Sequence, residues 1–140
     1  MNFYGSISKA YSLLDMIYFS ERGSNPREVI KRFIPNREVR ILDMCCGTLS
    51  NTIDIAKEKP KVEVVGLDLS KDMLKVAKDR VKRNQLNNVK LICTDAANTA
   101  LPSNSFDYII IGLVLHESSP TLADGMIKEA RRLLKCCFSQ

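Results

Sequence analysis

Three short apolar runs, each followed by an aspartate, constrain this chain most. Val39-Arg40-Ile41-Leu42 ends at Asp43, Val62 to Leu67 ends at Asp68, and Val89 to Cys93 runs on to Asp95. Their length and β-branched content suit buried strands. Helical patterns separate them. Cys46-Gly47-Thr48 turns the chain into a helix predicted over 51–57, which Pro60 closes. Ser70 can cap the next helix, with Met73, Leu74, Ala77 and Val81 on its inner face. The most apolar stretch follows, Phe106 to Leu115, interrupted by Asp107 and Gly112. Ser119 and Pro120 then open a last helix with Leu122, Met126, Ala130 and Leu133 on one face. Strands alternating with helices mean βαβ units. Right-handed crossovers narrow these to an α/β fold, a doubly wound parallel sheet with helices on both faces.

In such sheets ligands sit outside the carboxyl ends of the strands. Asp43, Asp68 and Asp95 all fall there. Together they suit a ligand rich in hydrogen-bond donors, such as ribose hydroxyls, an amino group and an exocyclic amine. The plainer reading of each acid alone is a solvated carboxylate at a strand end or helix cap. Ahead of the sheet, Ile7, Tyr11, Leu14 and Tyr18 form one apolar helical stripe that Gly23 and Ser24 break. Asn25 as cap, Pro26 at the first helical position and Glu28 at capping-box spacing start a second helix, ended by Pro35 and Asn36.

The 140 residues form one domain. A hydrophobic share of 45% excludes low-complexity disorder, and no apolar run approaches the ~18 residues of a membrane span. The net charge of +5 favours acidic partners only slightly, and no nucleic-acid partner is expected. Lys71, Lys75, Lys78, Arg80, Lys82 and Arg83 read as a solvated helix face, since Asp72 and Asp79 intersperse them. The five cysteines include the doublets Cys45-Cys46 and Cys136-Cys137, which do not resemble a disulfide framework, and no C-x₂-C spacing suggests a metal. Residues 1–20 lack a basic leader. The thiols are therefore read as reduced and the chain as cytoplasmic.

Ile41-Leu42-Asp43-Met44-Cys45-Cys46-Gly47-Thr48 resembles the first motif of class I S-adenosylmethionine-dependent methyltransferases. Val65-Gly66-Leu67-Asp68-Leu69-Ser70 with Met73-Leu74 resembles the second, and Asp95-Ala96, Leu101-Pro102 and Ser105-Phe106-Asp107 the third. The similarity runs from about Val39 to Lys135. Within the family it points to the ubiquinone- and menaquinone-biosynthesis type, whose N-terminal Tyr4…Ile7…Tyr11…Leu14 and Ile111-Gly112-Leu113…His116 segments have counterparts here. The resemblance implies S-adenosylmethionine as cofactor and a small-molecule methyl acceptor, a quinone precursor being the leading candidate. It assigns Asp43 to the donor's amino group, directly or through water, and Asp68 to both ribose hydroxyls. Leu69 and Met73 would line the adenine, Asp95 would accept from its amine, and the Ala96 N–H would reach a ring nitrogen. Gly112 and Leu113 would flank the methionine portion. Cys45 and Gly47 would give the turn its room, and the helix beyond would offer free N–H groups to a carboxylate.

Residues 1–36 would form a helical lid, 37–135 the cofactor-binding core and 136–140 a divergent tail. His116 and Tyr11 are the candidate catalytic groups. A loop histidine merely lining the cleft is the simpler reading of His116, and Glu117 beside it reads the same way. Leu49 stands where the family has a third glycine, so crowding of the cofactor or a conflict with positive φ is expected there. The family's sheet has seven strands in the order three-two-one-four-five-seven-six, of which this chain supplies four. The chain is thus read as C-terminally truncated. Its fourth strand lies on an open edge that invites a homo-oligomer or a partner chain. Two other readings stay open: a degenerate cofactor-binding module, inactive alone or dependent on a partner, and a nicotinamide-binding domain. The first turn lacks the G-x-G-x-x-G that the latter needs.

Overall fold

The computed structural model describes residues 25–112 and 118–136. Helix α1 (Pro26–Phe33) leads into β1 (Val39–Met44), α2 (Ile53–Glu58), β2 (Val62–Asp68), α3 (Lys71–Arg83), β3 (Val89–Cys93), β4 (Tyr108–Ile111) and α4 (Pro120–Leu133). All four strands run parallel in the order β3-β2-β1-β4, the expected arrangement. β1 lies at the centre, with Ile41 opposite both Val64 and Tyr108.

The period-two alternation of strand side chains builds two apolar layers. One face presents Val39, Ile41, Val62 and Val64 to Ile34, Ile53, Ile55 and Ala77, with Ile30, Leu74, Val81, Tyr108 and Ile110 packed alongside. The other face presents Leu42, Met44, Val65 and Leu67 to Phe106, Met126 and Leu133. Each fully buried side chain of this kind contributes about 1.5–3 kcal/mol. The sheet is thus sandwiched between α1–α3 and α4. Leu122, expected on the inner face of α4, is 45% exposed.

The predicted caps form. Asn25 accepts from the Arg27 N–H, Ser70 from Met73 and Ser119 from Leu122. Glu28, expected to complete a capping box, instead pairs with Lys31 at 2.8 Å. α1 runs alongside α2: Arg27 reaches Asn51 near the start of α2, Lys31 reaches Glu58 at its end, and the Lys59 ammonium binds the Lys31 and Ile34 carbonyls. Through Arg27 the first turn of α1 reaches the loop beyond β1. The rest of the predicted lid, residues 1–24, lies outside the described residues.

At the far end, Ser105 and Phe106 donate to the Leu133 carbonyl, and the Lys135 N–H donates to Phe106. Leu134 forms a parallel bridge with Phe106. Among the described residues no helix is long and apolar enough to cross a membrane.

Candidate functional site

The carboxyl ends of β1 and β2 converge on the loop Cys45–Ser50. Three of its residues adopt left-handed backbone: Cys45 at φ 57°, Gly47 at φ 52° and Leu49 at φ 66°. For the two non-glycine residues this costs on the order of 1–3 kcal/mol each, so surrounding bonds must hold them there. The Cys46 N–H donates to the Leu67 carbonyl at 2.9 Å, and the Leu49 N–H donates to Cys46 at 2.8 Å. A side chain on Gly47 would meet nothing within 4 Å, so the loop is open on that side.

Leu49 does not crowd this opening. Its side chain is fully buried beneath the loop, against Gly66 of β2, where even a Cβ would lie only 2.9 Å from Leu49 Cδ1. The side chain that was expected to crowd the cofactor is thus turned into the core, while the positive φ is real. Apolar burial outweighs the backbone strain.

Asp68 stands at the centre of the site. Its Oδ2 accepts from the Gly47 N–H at 2.9 Å and its Oδ1 from the Ser70 N–H at 2.8 Å. Each oxygen keeps acceptor capacity beyond these bonds. The two bonds fix the carboxylate plane and tie the first loop to the start of α3. Beside it Leu69 is 68% exposed, a large apolar surface standing at the mouth of the site, and Met73 is half-buried on the first turn of α3.

Asp43 differs in kind. It is 0% exposed. Its Oδ2 accepts from Thr52 Oγ1 at 2.7 Å, and its Oδ1 has no hydrogen-bond partner. Burial raises its carboxyl to about 7, Asp68 adds to the rise, and the Thr52 hydroxyl and Arg27 charge oppose it. An orphaned buried acceptor beneath a ligand loop fits a donor such as an ammonium or a bound water.

The third acid is placed differently again. Asp95 is exposed, and its Oδ1 accepts from the Ala97 N–H at 2.8 Å. The Ala96 methyl is buried in the layer with Leu67 and Met126. Cys45 Sγ lies 3.8 Å from Met126 Sδ. Burial pushes its thiol up to about 11, so it stays protonated at neutral pH. Among the described residues no cluster of His, Cys, Asp and Glu is suited to a metal.

Gly112 closes β4's end of the site. A Cβ there would run into the Asn51 amide, so Asn51 occupies space that the missing side chain leaves open. Asn51 also accepts from Arg27 Nε at 3.4 Å. α2 begins only at Ile53, later than predicted, and the Ile53 N–H is spent on the Leu49 carbonyl. Residues 51 and 52 are turn where helix was expected, and the Ile53 N–H is not free for a ligand. Leu113, His116, Glu117 and Tyr11 lie outside the described residues.

Sequence reasoning missed Thr52, Asn51 and Arg80. Thr52 immediately precedes α2, a position where a hydroxyl reads as a helix cap rather than a carboxylate partner. Arg80 was grouped with a solvated basic face. Instead it is half-buried, and its Nη1 donates to Thr48 O at 2.8 Å and to Ser50 Oγ at 3.0 Å.

A family of methyltransferase domains matches residues 41–136. The demethylmenaquinone methyltransferase of Geobacillus sp. (strain WCH70) is 39% identical over 131 residues, 92% of this chain and 55% of that protein. The chain thus spans about half the length of the curated relatives it matches. PKMT2 from Rickettsia typhi, solved in complex with AdoHcy, is 26% identical with a TM-score of 0.67, covering 73% of this chain and 20% of that one. A SAM-dependent methyltransferase from Aquifex aeolicus shares the fold at a TM-score of 0.73 and 23% identity, over 94% of this chain and 67% of that one. The motif order, the β3-β2-β1-β4 sheet and a family match over more than half the chain agree: it belongs to the class I S-adenosylmethionine-dependent methyltransferases.

Proposed function

We propose that this chain binds S-adenosylmethionine at the carboxyl ends of β1, β2 and β3 and transfers its methyl group to a small-molecule acceptor, a quinone precursor. One observation carries the reading: Asp68, held by the Gly47 and Ser70 N–H groups beside exposed Leu69, offers two fixed acceptors next to an apolar surface. Two oxygens in one plane match a vicinal diol, and an exposed leucine matches the face of a purine. The likeness to demethylmenaquinone methyltransferases supports the quinone acceptor.

In this reading Asp68 accepts the ribose hydroxyls, and Leu69 and Met73 flank the adenine. Asp95 and the Ala96 N–H recognise its edge. Asp43 supplies the acceptor for the amino group, through water where its burial keeps it from direct contact. The turn at Cys45 and Gly47 leaves room for the donor, and Gly112 and Leu113 border its methionine portion. The bound sulfonium supplies an already activated methyl group, so the chain's task is to hold the acceptor in line and exclude water. Tyr11 and His116 are the candidates for touching the acceptor. Residues 1–36 serve as the cover of the site, with α1 as its anchored end. A cytoplasmic setting belongs to this reading, since cysteine doublets without a disulfide framework suit a reducing compartment.

Calorimetric titration of the 140-residue chain with S-adenosylmethionine tests the donor site. Micromolar binding is expected, weakened at least about a hundredfold by Asp68→Ala, the scale of losing a charge-assisted bidentate contact. Absence of binding to the unsubstituted chain overturns the reading. Transfer of labelled methyl to demethylmenaquinone tests the acceptor.

A second reading concerns assembly. Among the described residues β4 pairs only with β1, and Leu134 opens parallel pairing with Phe106 on the outer side. The outer edge of β4 is read as the seat of a further strand, from more of the same polypeptide, a second copy or a partner chain. If that strand is missing, the four-stranded unit acts as a binding module and not as an enzyme. Sedimentation of this chain at rising concentration separates self-association from the other sources.

A further inference from the structure

We propose that Arg80 is a positioning residue for the methyl donor, holding the strained loop after β1 in its ligand-ready shape. The inference rests on the donor site proposed above and adds a residue to it. Arg80 lies in the third turn of α3, away from the strand ends. Its Nη1 donates to Thr48 O at 2.8 Å and Ser50 Oγ at 3.0 Å, with Thr48 Oγ1 at 3.3 Å. The two hydroxyls are themselves 2.9 Å apart, so the cation sits in a small cage made by the loop. Thr48 is buried, and its carbonyl lies between the left-handed Gly47 and Leu49.

The connectivity explains why this contact matters to the site and not only to the helix. Asp68 binds the Gly47 N–H on one side and the Ser70 N–H on the other. Ser70 caps α3, and α3 carries Arg80 back to Thr48 and Ser50. The loop, the carboxylate and the helix therefore form a closed circuit. A left-handed segment persists only where its surroundings over-determine it. Opening the circuit at Arg80 frees the middle of the loop while leaving both apolar layers of the sheet intact.

The test compares Arg80→Gln, Arg80→Lys and, as a control on the same helix, Lys78→Gln. Donor affinity is read by calorimetric titration with S-adenosylmethionine, and loop order by amide hydrogen exchange of the ligand-free chain. Arg80→Gln is expected to weaken donor binding about tenfold or more. It is also expected to speed exchange at Cys46, Gly47 and Leu49, with the β1–β2 ladder at the rate of the unsubstituted chain. Arg80→Lys, which keeps the charge but loses the planar guanidinium, recovers part of both effects, and Lys78→Gln changes neither. Affinity within twofold overturns the proposal. So does weakened binding with unchanged loop exchange, which would place the arginine on the ligand itself, and so does faster exchange throughout the sheet, which would make its role one of general stability. If the unsubstituted chain takes up no donor, the donor reading falls and positioning for the donor falls with it. The exchange arm still decides separately whether Arg80 holds the loop.

Discussion

The two ends of the same sheet treat their carboxylates in opposite ways. At the amino end, Glu63 on β2 lies 3.1 Å from Arg40 and 2.9 Å from Lys90, so adjacent strands place opposite charges side by side. Lys90 and Arg40 hold its carboxyl below the usual range. Asp107 is half-buried, which opposes ionisation, yet the Arg40 N–H and the Lys135 ammonium lower it. At the carboxyl end, Asp43 has no cation in bonding range among the described residues and is raised to about 7, while each Asp68 oxygen takes one backbone N–H and keeps acceptor capacity beyond it. Partnered acids complete a surface. Acids with unspent acceptor capacity beside an open loop make a site.

The largest contrast is in pH dependence. The folded Asp43 carboxyl titrates near 7, whereas in the unfolded chain it ionises near its ordinary 3.8. Between those values the folded state keeps a proton that the unfolded state has lost. This group's contribution therefore falls as pH rises from about 4 to 7 and is level above, a change of roughly 4 kcal/mol in all. Asp43→Asn should flatten that slope between pH 4 and 7, read from denaturant midpoints across the range. An unchanged slope would mean that Asp43 ionises freely and that the carboxyl end is not set apart as described.

Leu49→Gly probes the strained loop. Glycine relieves a positive φ worth about 1–2 kcal/mol, but loss of the buried side chain costs about 2–5 kcal/mol. Net destabilisation of about 2 kcal/mol is expected in chemical denaturation. A more stable variant would show that strain, and not the core contact with Gly66, dominates there. The smallest effect belongs to the amino end. Glu63→Gln should cost no more than about 1 kcal/mol, as partly exposed ion pairs do, and should leave donor affinity unchanged. A loss of affinity in that variant would erase the distinction between the two ends.

Local signals carried much of the fold. Asn25, Ser70 and Ser119 cap the helices they were expected to cap, and β2 and β3 span the residues their apolar runs marked. These features depend on neighbours within a few positions, where side-chain period and capping chemistry decide the outcome. The left-handed Leu49 shows the limit. A bulky residue replacing glycine reads as an obstacle, yet Gly66 on the next strand leaves the space that accepts it.

The sequence by itself determined the alternation of strands and helices, the parallel sheet and the acids at the strand ends. Only the tertiary structure decided what those acids do. It put Thr52 on Asp43 and left the other oxygen orphaned, set Asp68 between Gly47 and Ser70, pressed Asn51 against Gly112, and turned Arg80 from solvent into the loop. Apolar periodicity is written along the chain. A hydrogen bond between residues brought together by crossovers is written nowhere in it, because its geometry exists only once the sheet has fixed both partners.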